Sequence, residues 1–206
     1  MKLYSHPLSL NGYKVRLLLA LLNQEYDYEN VDLVRDRQKS DDFLAMHPLG
    51  QVPVLVDSDF SIWDSQAILV YLARKFENEQ WLPLTAKANA QITSWLSFAA
   101  KELALGLAAA RVHHLLGGQG INFVTRLNIE IDQAISQSEK SLEVLNYYLS
   151  SHHWLVGNAP TIADIACFPA IEFAHEGKTS LSAYPHVQNW VDQVKHLPGY
   201  VSMKEL

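Results

Sequence analysis

Two short segments of the chain, Gln51-Val52-Pro53 and Asp64-Ser65, carry residue types that could bind a small acidic peptide. Proline donates no backbone N–H, so Pro53 belongs at the first residue or the edge of a strand. With a cis peptide bond before it, Val52 would turn its N–H and C=O outward, where an extended peptide could pair with them. Ser65 opens an apolar helical pattern, and the N–H groups and dipole of a helix N-terminus attract a carboxylate. Either segment alone also suits an ordinary strand start or helix cap, but their order and spacing predict a peptide pocket.

A third segment, from Tyr4 to Gly12, has residue types that could activate a thiol. It is predicted to turn from the first strand into the first helix, with Ser9 and Asn11 at or just before the helix N-terminus. A thiol held there would meet hydrogen-bond donors and the positive end of the helix dipole, and both stabilise the thiolate. Lowering the thiol pKa by about 2 units would raise the reactive fraction at neutral pH by about a hundredfold. The alternative is that Ser9 or Asn11 only caps the helix.

The composition argues against several other functions. A formal charge of −6 over 206 residues, without a dense basic run, makes nucleic acid an improbable partner. No apolar run reaches membrane-spanning length, so no membrane partner is expected. Cys167 is the single cysteine, which excludes an intramolecular disulfide and favours a reducing cytoplasm. The adjacent pairs His113-His114 and His152-His153 point in different directions on a helix, so no metal site is predicted.

Hydrophobic periodicity places the three segments in a mixed α/β half covering residues 1–76. The predicted order is βαβαββα, with a parallel crossover and a closing antiparallel hairpin. The predicted elements are Lys2–Ser5, Gly12–Asn23, Tyr28–Leu33, Ser40–Met46, Pro53–Val56, Phe60–Trp63 and Asp64–Phe76.

Beyond residue 76 the strand signal ends. Residues 77–86 are largely polar and contain Pro83, which is typical of a linker. Residues 87–206 are predicted to be all-helical, with helices over Lys87–Leu116 (ended by Gly117-Gly118), Ile121–Leu149, from Thr161 onward, and over Ala183–His196. Thr161 and Asp164 have the spacing of a capping box, in which each side chain accepts from the other residue's backbone N–H.

These segments resemble the motifs of glutathione S-transferases, and the resemblance covers nearly the whole chain. It is carried by Leu3-Tyr4, Ser9–Val15, Phe43-Leu44, Pro48–Leu55, Asp64–Ile68, Tyr71-Leu72, Leu155–Gly157 and Thr161–Asp164. The resemblance implies a thioredoxin-like N-terminal domain followed by an all-helical C-terminal domain. It also implies glutathione as co-substrate, no further cofactor, and a cytosolic homodimer.

Position by position, the resemblance assigns contacts with glutathione. Val52 is expected to pair its backbone with the cysteinyl unit, with Pro53 cis, and Gln51 is expected to hold the tripeptide through its side chain. Ser65 would bind the γ-glutamyl carboxylate. Asp64 would face the γ-glutamyl ammonium, although glutamate is commoner at its position.

The glycine end of the tripeptide is assigned to a cation. Lys39 is expected to meet the glycine carboxylate. Its neighbour Gln38 stands where some members of the family have histidine, and it is included in the predicted binding set.

Three residues compete for activation of the glutathione thiol. Serine-type classes place the hydroxyl where Ser9 stands, some bacterial members credit an asparagine at the position of Asn11, and tyrosine classes have an early tyrosine like Tyr4. Ser9 is the preferred assignment and Asn11 is the second. Tyr4 ranks third, because it is predicted to lie within the first strand. No cysteine lies in this segment, which disfavours the members that work through a protein thiol.

A small hydrophobic electrophile is expected to bind between the two halves, beside the turn that carries Leu8 and Leu10. The candidates on the long helix after the linker are Trp95, Phe98, Glu102, Arg111 and His114. Arg111 and His114 are three residues apart and share a helix face, although a solvated or ion-paired position at the surface is the alternative. The predicted activity is addition of glutathione to electrophiles, with peroxidase side activity. A non-catalytic protein-interaction module and a glutathione-disulfide reductase are the alternatives.

Overall fold

Residues 1–116 and 130–206 are described by the computed structural model. They form two units, one made of Met1–Asn78 with Leu197–Leu206, and the other of Glu79–His196. The last ten residues were predicted to belong to the helical half. In the structure they belong to the N-terminal unit, where the Tyr13 hydroxyl donates to the carbonyl of Val201 at 2.8 Å.

The N-terminal unit has the predicted βαβαββα order. Its elements are β1 (Lys2–Ser5), α1 (Leu10–Leu21), β2 (Asp27–Asn30), α2 (Asp41–Met46), β3 (Val54–Asp57), β4 (Phe60–Trp63) and α3 (Ser65–Lys75), with a 3₁₀ turn over Arg37–Lys39. The sheet order is β2-β1-β3-β4; β2 runs parallel to β1, and the other pairs are antiparallel. The strand β2 is shorter than predicted because β1 ends at Ser5, whose carbonyl accepts the last bond from Val31.

Strand alternation gives this sheet two apolar faces. Leu3 and Leu55 lie opposite each other in the β1–β3 register, and both are fully buried. The next residues along, Tyr4 and Val54, point to the other face and pack with Phe43 of α2. The sheet is therefore covered on both sides, as expected for strands without a polar face.

The β3–β4 hairpin is tied to α3 by Asp57. Its carboxylate forms an ion pair with Lys75 and accepts a hydrogen bond from the Tyr71 hydroxyl at 2.6 Å. The bond from Lys75, followed by that from Tyr71, holds the pKa of the Asp57 carboxyl below its usual value. The Asp57 carboxylate therefore stabilises the folded protein at pH values above its pKa in the unfolded chain. This stabilisation is lost as the pH falls through the lower pKa of the folded state.

The helical unit contains the predicted long helix, in three parts. These are α4 (Ala86–Phe98), a π-helical segment (Ala99–Ala108) and α5 (Ala109–Leu116). The later helices are α6 (Ile131–Leu149), α7 (Ile162–Glu172) and α8 (Pro185–Lys195), with a 3₁₀ turn over Ala174–Gly177. The predicted stop at Gly117-Gly118 and the predicted helical residues 121–129 lie outside the described residues.

The capping box at the start of α7 is confirmed, and it has more partners than the sequence indicated. The Asp164 carboxylate accepts from the backbone N–H of Thr161 at 2.8 Å and of Leu155 at 3.0 Å. It also accepts from the indole N–H of Trp190 at 2.9 Å. Complete burial raises the pKa of Asp164, and these donors oppose the rise.

Within residues 1–116 and 130–206, none of the helices has the length and apolar composition of a membrane span.

Candidate functional site

Strand direction brings three predicted site segments to one end of the sheet. Tyr4, Val54 and Trp63 lie side by side in the ladder. Because β3 is antiparallel to both neighbours, the end of β1, the start of β3 and the end of β4 meet there. The turn with Ser9 follows β1, Val52 precedes β3, and Ser65 follows β4. The sequence indicates these three segments, but their proximity follows only from the topology of the sheet.

Ser9 is the N-cap of α1. Its Oγ accepts the backbone N–H of Gly12 at 3.0 Å, and its own N–H donates to the His6 carbonyl at 2.9 Å. Burial lowers the pKa of the His6 imidazole, while the charge of Asp32 opposes this. A hydroxyl that accepts one hydrogen bond still carries a proton to donate. Capping and thiol activation are therefore compatible roles for this half-buried serine.

Asn11 is the second residue of α1 and is exposed. Its Oδ1 accepts a hydrogen bond from the ammonium of the buried Lys14 at 2.9 Å. Lys14 was not identified from the sequence. The indication that it could contact Asn11 was the i,i+3 spacing of the two residues on a helix.

The peptide bond between Val52 and Pro53 is cis, as predicted. Within the described part of the chain, the backbone N–H and C=O of Val52 make no hydrogen bond, since the β3 ladder begins at Val54. The Val52 side chain packs against the cluster of Val31, Phe43 and Val54. This packing fixes a backbone edge that could pair with an extended peptide. Gln51 lies beside it and is half-buried.

Asp64 is the N-cap of α3 and adopts a positive φ of 73°. Its Oδ1 accepts from the backbone N–H groups of Gln66 at 2.9 Å and Ala67 at 3.1 Å. A positive φ is unusual outside glycine and often marks a functional position. Ser65 is 3% exposed, and its hydroxyl makes a long 3.4 Å contact with Gln66 Oε1. Capping explains Asp64 locally, and the strained backbone fixes the direction in which Ser65 enters the helix.

Lys39 is held against the turn that precedes Gln51. Its ammonium donates to the carbonyls of Leu49 and Gly50, both at 2.9 Å. Gly50 has a φ of +56°, and a Cβ there would lie 2.5 Å from the Gln38 carbonyl oxygen. Gln38 Nε2 donates to Asp36 at 3.2 Å. The structure therefore gives Lys39 a role in shaping the loop as well as a charge beside it.

His47 belongs to the same loop and was not identified from the sequence. It is 3% exposed, its ring stacks on Trp63 with centroids 4.9 Å apart, and Nδ1 accepts the Leu49 N–H at 3.2 Å. Burial lowers the pKa of the imidazole; the charge of Asp64 opposes this and that of Lys39 reinforces it. A neutral His47 can accept from Leu49, which keeps the loop in place.

Tyr4 faces the core rather than the Ser9 turn. Its ring meets Phe43 edge to face at 6.4 Å, and the Lys2 ammonium lies 4.9 Å from its centroid. This arrangement agrees with its low rank among the three candidates for thiol activation. In the same unit, Leu8 is 43% exposed whereas Leu10 is 8% exposed and belongs to the core.

In the helical unit, Trp95 and Phe98 belong to an aromatic cluster. Trp95 meets Phe98 at 5.3 Å and Tyr148 at 5.0 Å, and Tyr148 stacks on His152 at 4.0 Å. The neighbouring Glu102, also a predicted pocket residue, accepts a hydrogen bond from the Gln137 side chain at 2.6 Å.

Arg111 contacts residues in and next to the 3₁₀ turn after α7. The Arg111 side chain is 3% exposed, forms an ion pair with Glu176, and lies 5.5 Å from the Phe173 ring centroid. Burial lowers the pKa of His114, and the charge of Lys178 adds to this. Arg111 is thus ion-paired, but it is buried and does not have the surface position that was the alternative to a pocket contact. Its pocket role stays a prediction.

Protein-family models match both halves of the chain. The glutathione S-transferase N-terminal domain matches residues 1–74, and the C-terminal domain matches residues 98–198. The chain belongs to the glutathione S-transferase family. The expected fold, a thioredoxin-like domain followed by an all-helical one, is thereby confirmed.

Two relatives of this chain are similar to it over most of their length. Glutathione S-transferase 3 of Zea mays is 33% identical over 212 residues, covering 97% of this chain and 91% of that protein. The disulfide-bond oxidoreductase YfcG of Escherichia coli K12 is 29% identical over 198 residues, covering 92% of this chain and 87% of that protein.

Solved structures agree with this assignment. A glutathione S-transferase from Pseudomonas fluorescens has a TM-score of 0.88 and 33% identity, with 98% of each chain covered. The glutathione transferase URE2P8 of Phanerochaete chrysosporium, solved with oxidized glutathione, has a TM-score of 0.80 and 27% identity, with 98% of this chain and 91% of that chain covered. Glutathione binding is therefore seen in structural relatives.

Proposed function

We propose that this protein is a glutathione transferase that adds the glutathione thiolate to small hydrophobic electrophiles, with glutathione-dependent peroxidase activity as a side reaction. The observation that carries the proposal is the meeting of Ser9, Val52 and Ser65 at one end of the sheet. An activating hydroxyl, an unpaired backbone edge and a helix N-terminus are the three groups that a γ-glutamyl tripeptide thiol requires. The proposal includes a cytoplasmic homodimer.

In this proposal the backbone of Val52, placed by the cis bond to Pro53, pairs with the cysteinyl unit, and Gln51 holds the tripeptide. Ser65 exchanges its long contact with Gln66 for the γ-glutamyl carboxylate, while Asp64 faces the ammonium. The cation for the glycine carboxylate is Lys39, with Gln38 beside it. The predicted electrophile pocket, formed by Leu8, Leu10, Trp95, Phe98, Arg111 and His114, stays a prediction.

Ser9 supplies the hydrogen bond that ionises the thiol. A bond to a charged acceptor is worth about 1.5–3 kcal/mol, which lowers the thiol pKa by about one to two units. The rate then depends on Ser9 most strongly at mildly acidic pH, because at alkaline pH the thiol ionises unaided.

Two substitutions separate this role from capping. Ser9→Ala and Ser9→Gly both remove the hydroxyl, but alanine at an N-cap costs about 1 kcal/mol of stability and glycine only a few tenths. Both variants should raise the pKa of bound glutathione equally, measured by thiolate absorbance, while retention on immobilised glutathione persists. If the alkaline rescue of turnover appears in Asn11→Ala and not in the Ser9 variants, the two roles must be exchanged.

A glutathione-disulfide reductase is the second candidate, favoured by the similarity to the oxidoreductase of Escherichia coli. In the described chain Cys167 is fully buried and lies in α7. The reductase reaction would therefore use glutathione thiolates alone, with one thiolate attacking the disulfide and a second releasing the mixed disulfide. Faster turnover of a small glutathione-reducible disulfide than of an aromatic electrophile would favour this second candidate.

A further inference from the structure

Lys14 is a buried cation next to the proposed thiol site. The residue is 4% exposed, and its ammonium donates to Asn11 Oδ1 at 2.9 Å. The two residues lie three apart on α1 and therefore share a face of the helix. An ammonium taken out of water needs hydrogen-bond acceptors, so this contact is a fixed part of the local structure.

The contact decides which way the Asn11 carboxamide points. A carboxamide has an accepting oxygen on one arm and a donating NH₂ on the other, whereas an ammonium has donors only. Turning the NH₂ toward Lys14 would bring donors face to face. With Oδ1 directed at the ammonium, Nδ2 is the arm of this exposed residue that points away from Lys14.

We propose that Lys14 is a positioning residue, which holds Asn11 so that its Nδ2 donates to the glutathione sulfur alongside the Ser9 hydroxyl. This inference rests on the proposed function. Ser9 and Asn11 then act together instead of as alternatives. The charge of Lys14 also polarises the carboxamide, since a hydrogen bond to its oxygen strengthens the donation from its nitrogen.

The test is a double-mutant cycle on the pKa of bound glutathione. Lys14→Met keeps the length and packing of the side chain but has no donor. We expect it to raise the bound thiol pKa by about one unit, to lower kcat at mildly acidic pH, and to leave the affinity for glutathione within about twofold. Asn11→Ala should have the same effect, and the double variant should titrate like Asn11→Ala alone. Lys14→Arg, which also offers donors only, should restore the wild-type pKa.

A fully additive effect in the double variant, or a wild-type titration for Lys14→Met, would overturn the role of Lys14. With either of these outcomes, the proposed function still stands if the wild-type protein binds glutathione and lowers the pKa of its thiol. Wild-type protein that does not bind glutathione would remove both proposals.

A second measurement is made on the folded wild-type protein, with Asn11→Ala used only for assignment, in case Lys14→Met does not fold. The Asn11 carboxamide signals, assigned by their loss in Asn11→Ala, should shift on binding glutathione and shift much less with S-methylglutathione, which has no thiolate. Equal shifts with the two ligands would place the Asn11 NH₂ away from the sulfur and overturn the proposal.

Discussion

Gly12 of α1 lies against Ser5 at the end of β1, and we expect Gly12→Ala to destabilise the N-terminal unit. A Cβ at this position would lie 1.9 Å from Ser5 Oγ and 3.1 Å from Ser5 Cβ. Favourable contacts between such atoms need about 3.5 Å. Ser5 is fully buried, and within the described chain its hydroxyl has no hydrogen-bond partner. The substitution therefore forces the strand end and the Ser9 turn apart.

The expected cost follows from two opposing terms. Overpacking of a buried site costs about 1–3 kcal/mol, and replacing glycine by alanine within a helix returns about 1 kcal/mol. The difference is about 0–2 kcal/mol. Because an approach of 1.9 Å lies far inside contact distance, we expect Gly12→Ala to lower the free energy of unfolding by a value at the upper end of this range. In a Ser5→Ala background the 1.9 Å contact is absent and the cost should fall to near zero. Ser5→Ala alone should leave stability unchanged or raise it by up to about 1 kcal/mol, because the lost hydroxyl is unsatisfied.

Urea denaturation of the four proteins measures these differences, provided that the slopes of the transitions agree. The coupling free energy between the two positions should exceed about 1 kcal/mol, well above the scatter for independent sites. An equal cost of Gly12→Ala in both backgrounds would show that the Ser5 hydroxyl is not the obstacle.

Four further predictions concern single residues. Ser65→Ala should weaken glutathione binding about ten- to hundredfold by calorimetry; unchanged affinity would refute its contact with the carboxylate. Arg111→Ala should destabilise the helical unit by about 1.5–3 kcal/mol, because it removes a charged hydrogen bond to the partly exposed Glu176; a stable variant with altered electrophile preference would instead support the pocket role. The wild-type protein should lose stability as the pH falls below about 4, because the Asp57 carboxylate has a lowered pKa in the folded state and loses its stabilising bonds when it is protonated. The free energy of unfolding of Asp57→Asn should depend less on pH over this range. Cys167→Ala should retain turnover, and its complete loss in a folded variant would require a protein-thiol mechanism.

Local signals in the sequence determined a large part of this protein. Alternation and helical periodicity predicted every element of the N-terminal unit to within a few residues, because each depends on neighbours along the chain. The capping box of Thr161 and Asp164 was predictable for the same reason, whereas the cis bond before Pro53 was expected only from the family resemblance. The end of β2 differs from the prediction because it depends on another strand. Its ladder with β1 ends at the pair Ser5 and Asn30.

Contacts between distant residues were decided only by the tertiary structure. Nothing in the local pattern shows that Tyr13 bonds to Val201, or that Arg111 pairs with Glu176. Each contact joins residues far apart in sequence, whose meeting depends on how whole elements pack. The same holds for the site, since its segments were visible in the sequence but their meeting at one end of the sheet follows from strand direction. The orientation of Asn11 depends on a side chain that becomes a buried cation only in the folded chain.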